Sequence, residues 1–367
     1  MKNWKDRITK LIPYEAGEQI TGSDVIKLNA NENPYPPSPK VYEALTDFDY
    51  GTLKNYPSLG KNSLEKAVAD YHGLKPENVL CGNSSDEVLA LSFRAFFGED
   101  HKSHDPVLFP DITYSFYPVW CEFYGISFKE IPLTESFEVN IDDYTDVPED
   151  TENAGGIIIP NPNAPTGIGL DYEKTEKLLA AENQSSVVIV DEAYADFGDF
   201  TALPFIRKYD NLLITKTLSK SRSLAGLRVG YALGSEELIN ALGAAMHSFN
   251  AYPLSRLAID LAEASIRDEK YFNDTIRKIK KTRESTAVEL KSRGFKLTDS
   301  QANFMFISHE NINAEDLYRY LFDKRILVRH FTKARINNYL RVTVGTDEEM
   351  EKFLYVIDEY MEDRNVI

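Results

Sequence analysis

The chain has 367 residues, of which 43% are apolar and 27% charged, and its net charge is −17 at pH 7. That length corresponds to about two domains of ordinary size, and the composition is that of a globular protein able to bury a sizeable core. The acidity speaks against a nucleic-acid partner, because a phosphate backbone attracts an excess of Lys and Arg; it leaves small anionic ligands open, since a site can be locally positive on an acidic protein.

No run approaches the ~18 consecutive apolar residues of a membrane span, and the N-terminal MKNWKDRITKLIPYEAGEQ lacks the apolar centre of a signal peptide. A cytoplasmic protein without a membrane partner is expected. Cys81 and Cys121 share no metal or redox spacing and read as reduced core thiols. His101 and His104 form an HxxH pair in the charged stretch GEDHKSHD, which reads as a solvated loop, so no metal site is expected.

Residues 1–30 read as an arm leading into a strand at VIKLNA, and NENPYPPSP (31–39) is too rich in Pro for regular structure. SLEKAVADYHG (63–73) places Leu64, Ala67, Val68 and Tyr71 at helical spacing, opening on Ser63 and stopping at Gly73. VLCG (79–82) is a short strand, followed by a helix over SSDEVLALSFRAFFG. Short apolar runs then recur at VLF (107–109), GIIIP (156–160), SVVIVD (186–191), NLLIT (211–215) and VGYALG (229–234). Separated by helical stretches, they predict parallel strands covered on both faces, an α/β pattern. After about residue 255 comes a long charged helical stretch to Ser292, then strand-like NFMFI (303–307), ILVRHF (326–331) and YLRVTVG (339–345). The expected division is a large domain over 46–255 and a smaller α+β domain built from 1–45 and 256–367.

In doubly wound sheets, ligands bind beyond the carboxyl ends of the strands. After VLCG, Ser84 with Glu87 three residues on has a capping-box pattern, and with Ser85 and Asp86 it predicts a helix start able to take an anion. After VLFP, Tyr114 could stack on a planar ligand. After GIIIP, Asn161-Pro162-Asn163-Ala164-Pro165-Thr166-Gly167 forces a rigid turn. After SVVIV, Asp191 ends a buried run with no local cation, so its partner is distant in sequence or is a ligand. After NLLIT come Thr217, Ser219, Lys220 and Arg228: hydroxyl and guanidinium donors suited to a phosphate, beside an amine able to form a Schiff base. Each feature alone has a bland reading as a cap, a turn or packing. Together they answer what pyridoxal 5'-phosphate requires: a lysine for its aldehyde, an acid for its ring nitrogen, a donor for its 3-oxygen and a phosphate cup.

Thr-Leu-Ser-Lys-x4-Ala-Gly-Leu-Arg (217–228), Asn-Pro-Asn-x-Pro-Thr-Gly (161–167) and Asp-Glu-Ala-Tyr (191–194) resemble the fold-type-I aminotransferases. LNANENPYPPSP (28–39), NYP (55–57), ILVRHF and LRVTVGT (340–346) make the histidinol-phosphate aminotransferases the closer match, over roughly residues 13–347. The resemblance implies the following roles. Lys220 joins the cofactor aldehyde and moves the substrate proton, Asp191 pairs with the ring nitrogen, Tyr194 donates to the 3-oxygen and Tyr114 stacks on the ring. Ser84, Ser85, Asp86, Thr217, Ser219 and Arg228 hold the phosphate. Tyr56 reaches the cofactor of a neighbouring subunit, which implies a homodimer with shared sites. Arg329 and Arg341 read substrate anions, with Tyr14 and Asn31 closing over them. Ala164 departs from the family, which usually has Asn there on the 3-oxygen; either Asn163 replaces it or Tyr194 serves alone.

The implied reaction interconverts histidinol phosphate plus 2-oxoglutarate and imidazole acetol phosphate plus glutamate. An aromatic aminotransferase would need much the same residues, and a decarboxylase of a phosphorylated amino acid shares the fold. A non-catalytic ligand sensor is the alternative of another class, opposed by the short N-terminal lead and the acidity. No GxxxxGK[ST], and no GxGxxG after a strand, supports a nucleotide enzyme.

Overall fold

The computed structural model describes residues 11, 22, 24–58, 60–98, 105–145, 154–181 and 186–366. In chain order its strands are β1 (Ile26–Lys27), β2 (Val79–Asn83), β3 (Val107–Pro110), β4 (Phe128–Ile131), β5 (Gly156–Pro160), β6 (Val188–Asp191), β7 (Leu212–Thr217), β8 (Val229–Leu233), β9 (Lys296–Leu297), β10 (Phe304–Ser308), β11 (Ile326–Leu327), β12 (Arg329–His330) and β13 (Leu340–Thr343).

Seven strands form one sheet in the order β2-β8-β7-β6-β5-β3-β4. All its pairings are parallel except those of β8, which runs antiparallel to both β2 and β7. The expectation that VGYALG adds a parallel strand is thereby corrected. Only eleven residues separate β7 from β8, too few for the crossover of a dozen or more that a parallel return needs. Alternate residues of the central strands feed two separate cores. Ile157, Ile159, Val188, Val190, Leu212 and Ile214 pack on one face, and Ile158, Ile189 and Leu213 on the other. Both cores are apolar, so the strands read as continuous hydrophobic runs, and each fully buried side chain contributes about 1.5–3 kcal/mol.

The helices close these faces. The helix Ser63–His72 opens at Ser63 and ends at Gly73, as its sequence predicts; Gly73 is left-handed, and an Asn62–Glu65 capping box, which the sequence reading does not include, holds the first turn. The long charged stretch after residue 255 is two helices, Arg256–Ile266 and Glu269–Ser292, broken at Arg267-Asp268, where the Asp268 side chain caps the second helix. Ala258, Ile259, Leu261, Ala262 and Ile266 of the first helix pack into the core of the large sheet. That helix therefore packs with the first unit rather than the second, in which the sequence reading puts it.

A smaller antiparallel sheet has the order β12-β13-β10-β9, and β1 pairs in parallel with β11. It encloses its own core around Leu290, Met305, Ile307, Leu317, Val342, Phe353 and Ile357. The arm crosses onto this unit: the Leu28 amide donates to the Leu327 carbonyl and the Thr343 amide to the Leu28 carbonyl. Among the described residues, no helix is long and apolar enough to cross a membrane.

Candidate active site

A cavity of about 130 Å³ opens at the carboxyl ends of the parallel strands. It is lined by Ser84, Ser85, Asp86, Tyr114, Asp191, Tyr194, Thr217, Ser219, Lys220 and Arg228, with Pro160, Pro162, Ala164 and Ala193 completing the wall. Residues singled out at four separate strand ends thus converge on one pocket.

One end is a ring of polar donors. The helix Ser84–Phe97 begins directly after β2, with Ser84 at φ 69°. A Cβ on Gly230 would stand 2.3 Å from the Ser85 nitrogen, so glycine there permits the helix start to lie against β8. The predicted capping box takes a different form: the Asn83 amide donates to Glu87 Oε2 at 2.6 Å, and Ser84 Oγ accepts from the Asp86 amide at 3.0 Å. Ser84, Ser85 and Asp86 bring the positive end of the helix to the pocket wall, while the Ser84 amide is engaged by the Arg228 carbonyl at 2.9 Å. Opposite them, Thr217 Oγ1 donates to Ser219 Oγ at 3.0 Å. Arg228, left-handed at φ 57°, places a terminal nitrogen 2.7 Å from Asp86 Oδ2. Tyr114 donates its hydroxyl to the other Asp86 oxygen at 2.9 Å, which ties the ring to the same carboxylate.

The other end is acidic and buried. Asp191 is 5% exposed. Its Oδ2 accepts from the Tyr117 hydroxyl at 2.8 Å, and its Oδ1 from the Ala193 amide at 3.2 Å and Thr215 Oγ1 at 3.4 Å. All three donors are neutral. Burial outweighs them and pushes the carboxyl up to about 6, with the negative charge of Asp86 adding to the rise. Among the described residues, the donors to this buried carboxylate are neutral, and one side of it borders the pocket.

Between these ends, Lys220 Nζ lies 5.9 Å from the centre of the Tyr194 ring and donates to the Ala30 carbonyl at 3.0 Å. Asn31 is buried and donates to the Tyr194 hydroxyl at 2.9 Å. It does not line the pocket; it orients Tyr194 instead. Asn163 does not line it either. Its amide nitrogen is spent on the Ile112 carbonyl and Thr166 Oγ1, inside a turn with cis bonds before Pro162 and Pro165. Ala164, not Asn163, faces the pocket. The Asn163 hydrogen bonds to Ile112 and Thr166 hold its side chain within the turn.

Arg329 and Arg341 lie outside the cavity wall, facing each other in register on β12 and β13. Arg341 donates to the Asn29 carbonyl at 2.9 Å and stands 5.5 Å from the Phe304 ring centre. Phe304 packs edge-on against Tyr194, with ring centres 5.1 Å apart, which places this cationic pair one ring beyond the pocket. Tyr56 is 76% exposed and stacks on Tyr252 at 4.6 Å, away from the cavity of its own chain. Tyr14, His101 and His104 lie outside the described residues.

Sequence reasoning misses Tyr117 and Asn33. Asn33 donates to the carbonyls of Lys220 and Ser221 at 3.1 and 3.2 Å. Tyr117 carries one sequence signal, its position three residues after Tyr114 at the start of the helix Phe116–Tyr124. Asn33 carries none beyond lying in the Pro-rich segment.

Fold and pocket together define an enzyme of the transaminase type. The family described as aminotransferase class I and II matches residues 23–357. The histidinol-phosphate aminotransferase of Clostridium acetobutylicum is 50% identical over 98% of this chain and 99% of its own. That of Lactococcus lactis subsp. cremoris is 45% identical over 99% of both chains. Among solved structures, histidinol-phosphate aminotransferase from Sinorhizobium meliloti in complex with pyridoxal-5'-phosphate superposes with a TM-score of 0.82 at 23% identity, covering 92% of this chain and 91% of that one. Aspartate aminotransferase from Thermus thermophilus with maleate superposes at 0.77 and 19% identity, covering 91% of both chains. These two likenesses show the fold. The chain belongs to the class I and II aminotransferases, and within them to the histidinol-phosphate aminotransferases.

Proposed function

We propose that this pocket holds pyridoxal 5'-phosphate and exchanges an amino group between histidinol phosphate and 2-oxoglutarate, giving imidazole acetol phosphate and glutamate. The chain is an aminotransferase of histidine biosynthesis, and the single observation that carries the site assignment is Asp191, a dry carboxylate given only neutral donors at the end of a pocket that also holds Lys220. When bound, the cofactor supplies an electron sink that stabilises negative charge at the substrate Cα.

The chain's own residues do the rest. The amides at the start of Ser84–Phe97, with Thr217, Ser219 and Arg228, bind the phosphate and fix the ring's position. Asp191 holds the proton on the ring nitrogen. Tyr114 covers the ring and Tyr194 donates to the 3-oxygen, its own oxygen accepting from Asn31. With Ala164 at the wall, Tyr194 serves that oxygen without a side-chain amide beside it. Lys220 would hold the cofactor aldehyde, and its amine would take and return the proton at the substrate Cα. Arg329 and Arg341 read the phosphate and carboxylate of the two substrates. Tyr14 belongs to the same proposal as part of the covering arm.

The proposal extends to assembly and location. Exposed Tyr42, Leu45, Tyr50, Leu53, Tyr56 and Phe249 support a homodimer in which Tyr56 serves the neighbouring site. The working division is 46–255 against 1–45 with 256–367, with helix Arg256–Ile266 as a connector packed on the large core. The enzyme acts in the cytoplasm.

The deciding experiment loads the protein with pyridoxal phosphate and adds histidinol phosphate, glutamate, phenylalanine and tyrosine separately, following the visible absorbance. Rapid loss with histidinol phosphate and glutamate, and slow loss with the aromatics, is expected. Equal responses would make it a broader aminotransferase, and no visible band would remove the cofactor assignment. Lys220→Ala is expected to bind the cofactor and to give no turnover.

A further inference from the structure

Behind the lysine loop lies a second set of charges that the chemistry above does not use. Thr217 lines the pocket, and Thr215 reaches the pocket acid Asp191. Strand alternation therefore sends the intervening Lys216 to the opposite face of the sheet. Its side chain is 7% exposed, with Nζ 3.2 Å from Glu192 Oε2 and 3.0 Å from Asp196 Oδ1. Glu192 is fully buried and also accepts from Thr201 Oγ1 at 2.7 Å and the Ala202 amide at 2.6 Å. Lys216 stands in register with Tyr231, whose hydroxyl meets the His72 ring at 3.0 Å. Burial and the charge of Lys216 push that ring down to about 3, so His72 adds no charge to the cluster at neutral pH.

Stability does not account for such a group. Burying Lys216 and Glu192, with Asp196 partly buried beside them, costs free energy, and a well-packed apolar group of similar volume is often as stable or more so. What the charges do is hold a neighbour. Asp196 Oδ2 accepts from Ser221 Oγ at 2.6 Å, and Ser221 follows Lys220 in the chain. Asn33 grips the same two residues through their carbonyls. The peptide that carries the reactive amine is thus clamped between the arm and a buried ion pair.

We propose that Lys216, Asp196 and Ser221 are positioning residues: the ion pair fixes Ser221, and Ser221 fixes the backbone from which Lys220 meets the cofactor. This rests on Lys220 being the cofactor's amine. Neither Lys216 nor Asp196 lines the pocket, so both act through the loop. A displacement of about 1 Å at a reacting group can cost on the order of a hundredfold in rate.

Lys216→Met would strand two carboxylates in the core, so the link is better cut at Ser221. Ser221→Ala removes the hydroxyl and leaves the ion pair whole; Ser221→Thr keeps the hydroxyl. Each variant is loaded with pyridoxal phosphate. Three properties are read: the visible circular dichroism of the bound cofactor, kcat and KM for histidinol phosphate, and the unfolding temperature. For Ser221→Ala the expected result is a dichroic band weakened about twofold or more and kcat about tenfold lower at little-changed KM, with the unfolding temperature retained and Ser221→Thr restoring both. A band and kcat equal to the parent's would overturn the inference. So would losses that track a fall in unfolding temperature and that Ser221→Thr leaves unrepaired. Absence of any visible band in the unaltered protein would overturn the cofactor assignment first, and this inference with it.

Discussion

The Tyr117 hydroxyl donates to Asp191 Oδ2 at 2.8 Å, and both side chains are buried. Tyr117 is fully buried, against Phe109 and Trp120, so its ring is fixed and its hydroxyl is aimed. This hydrogen bond favours the ionised acid, against the burial that disfavours it. Tyr117→Phe is expected to keep the packing and lose that support. A hydrogen bond to a charged group is worth about 1.5–3 kcal/mol, so cofactor affinity should fall on the order of tenfold to a hundredfold. Titration of the apoprotein with pyridoxal phosphate measures it, and unchanged affinity would take Tyr117 out of the site.

Asp191 itself should destabilise the apoprotein at neutral pH. Its folded value, about 6, is raised above the ordinary carboxyl value, so between roughly pH 4 and 6 only the folded state holds the proton. The group's stability contribution is therefore present at low pH and is lost as pH rises through its folded value. Asp191→Asn imitates the protonated acid. The apo variant should be more stable than the parent by up to about 3 kcal/mol near pH 7.5 and equal to it near pH 4. Urea unfolding at both pH values tests this. Adding pyridoxal phosphate should reverse the order at neutral pH, because only the parent can pair with a cationic ring.

Arg329 and Arg341 face each other in register on neighbouring strands, two like charges suited to an anionic substrate. Truncating either should weaken anion recognition. Arg341→Ala and Arg329→Ala are each expected to raise KM for at least one of histidinol phosphate and glutamate by about tenfold or more. Steady-state kinetics on both substrates would show which arginine reads which anion. Unchanged KM values for both variants would exclude the pair from the substrate site.

Tyr56 does not line the pocket of its own chain, so subunit mixing can test whether it serves another. Tyr56→Ala is expected to weaken cofactor binding, and Lys220→Ala to abolish turnover. Co-refolded together, they would produce mixed dimers in which one site has both Lys220 and Tyr56. Recovery of activity at limiting cofactor, above the sum of the separate variants, is the expected result. No recovery would mean that the site is built from one chain.

Much of this molecule was legible in its sequence because the signals were local. Residues 157–159, 187–190 and 212–214 are apolar at every position, as strands covered on both faces are. Asp191 and Lys220 announced themselves as polar groups at the ends of such strands. The direction of β8 could be inferred only weakly, from the shortness of the loop before it; strand pairing decided it. The fate of Asn163 was illegible, since a turn's composition does not tell which side chain faces the cavity and which ties the turn together.

The sequence by itself determined the covered sheet and the polar strand ends, because each depends on residue type and short-range spacing. Only the tertiary structure decided what depends on distant partners. It gave Asp191 its neutral donors, put Asn31 behind Tyr194, faced Arg329 with Arg341, and set Lys216 and Asp196 behind the lysine loop. Those relationships join residues up to 163 positions apart, as in Asn31 and Tyr194. They come from packing and burial, which a linear pattern does not record.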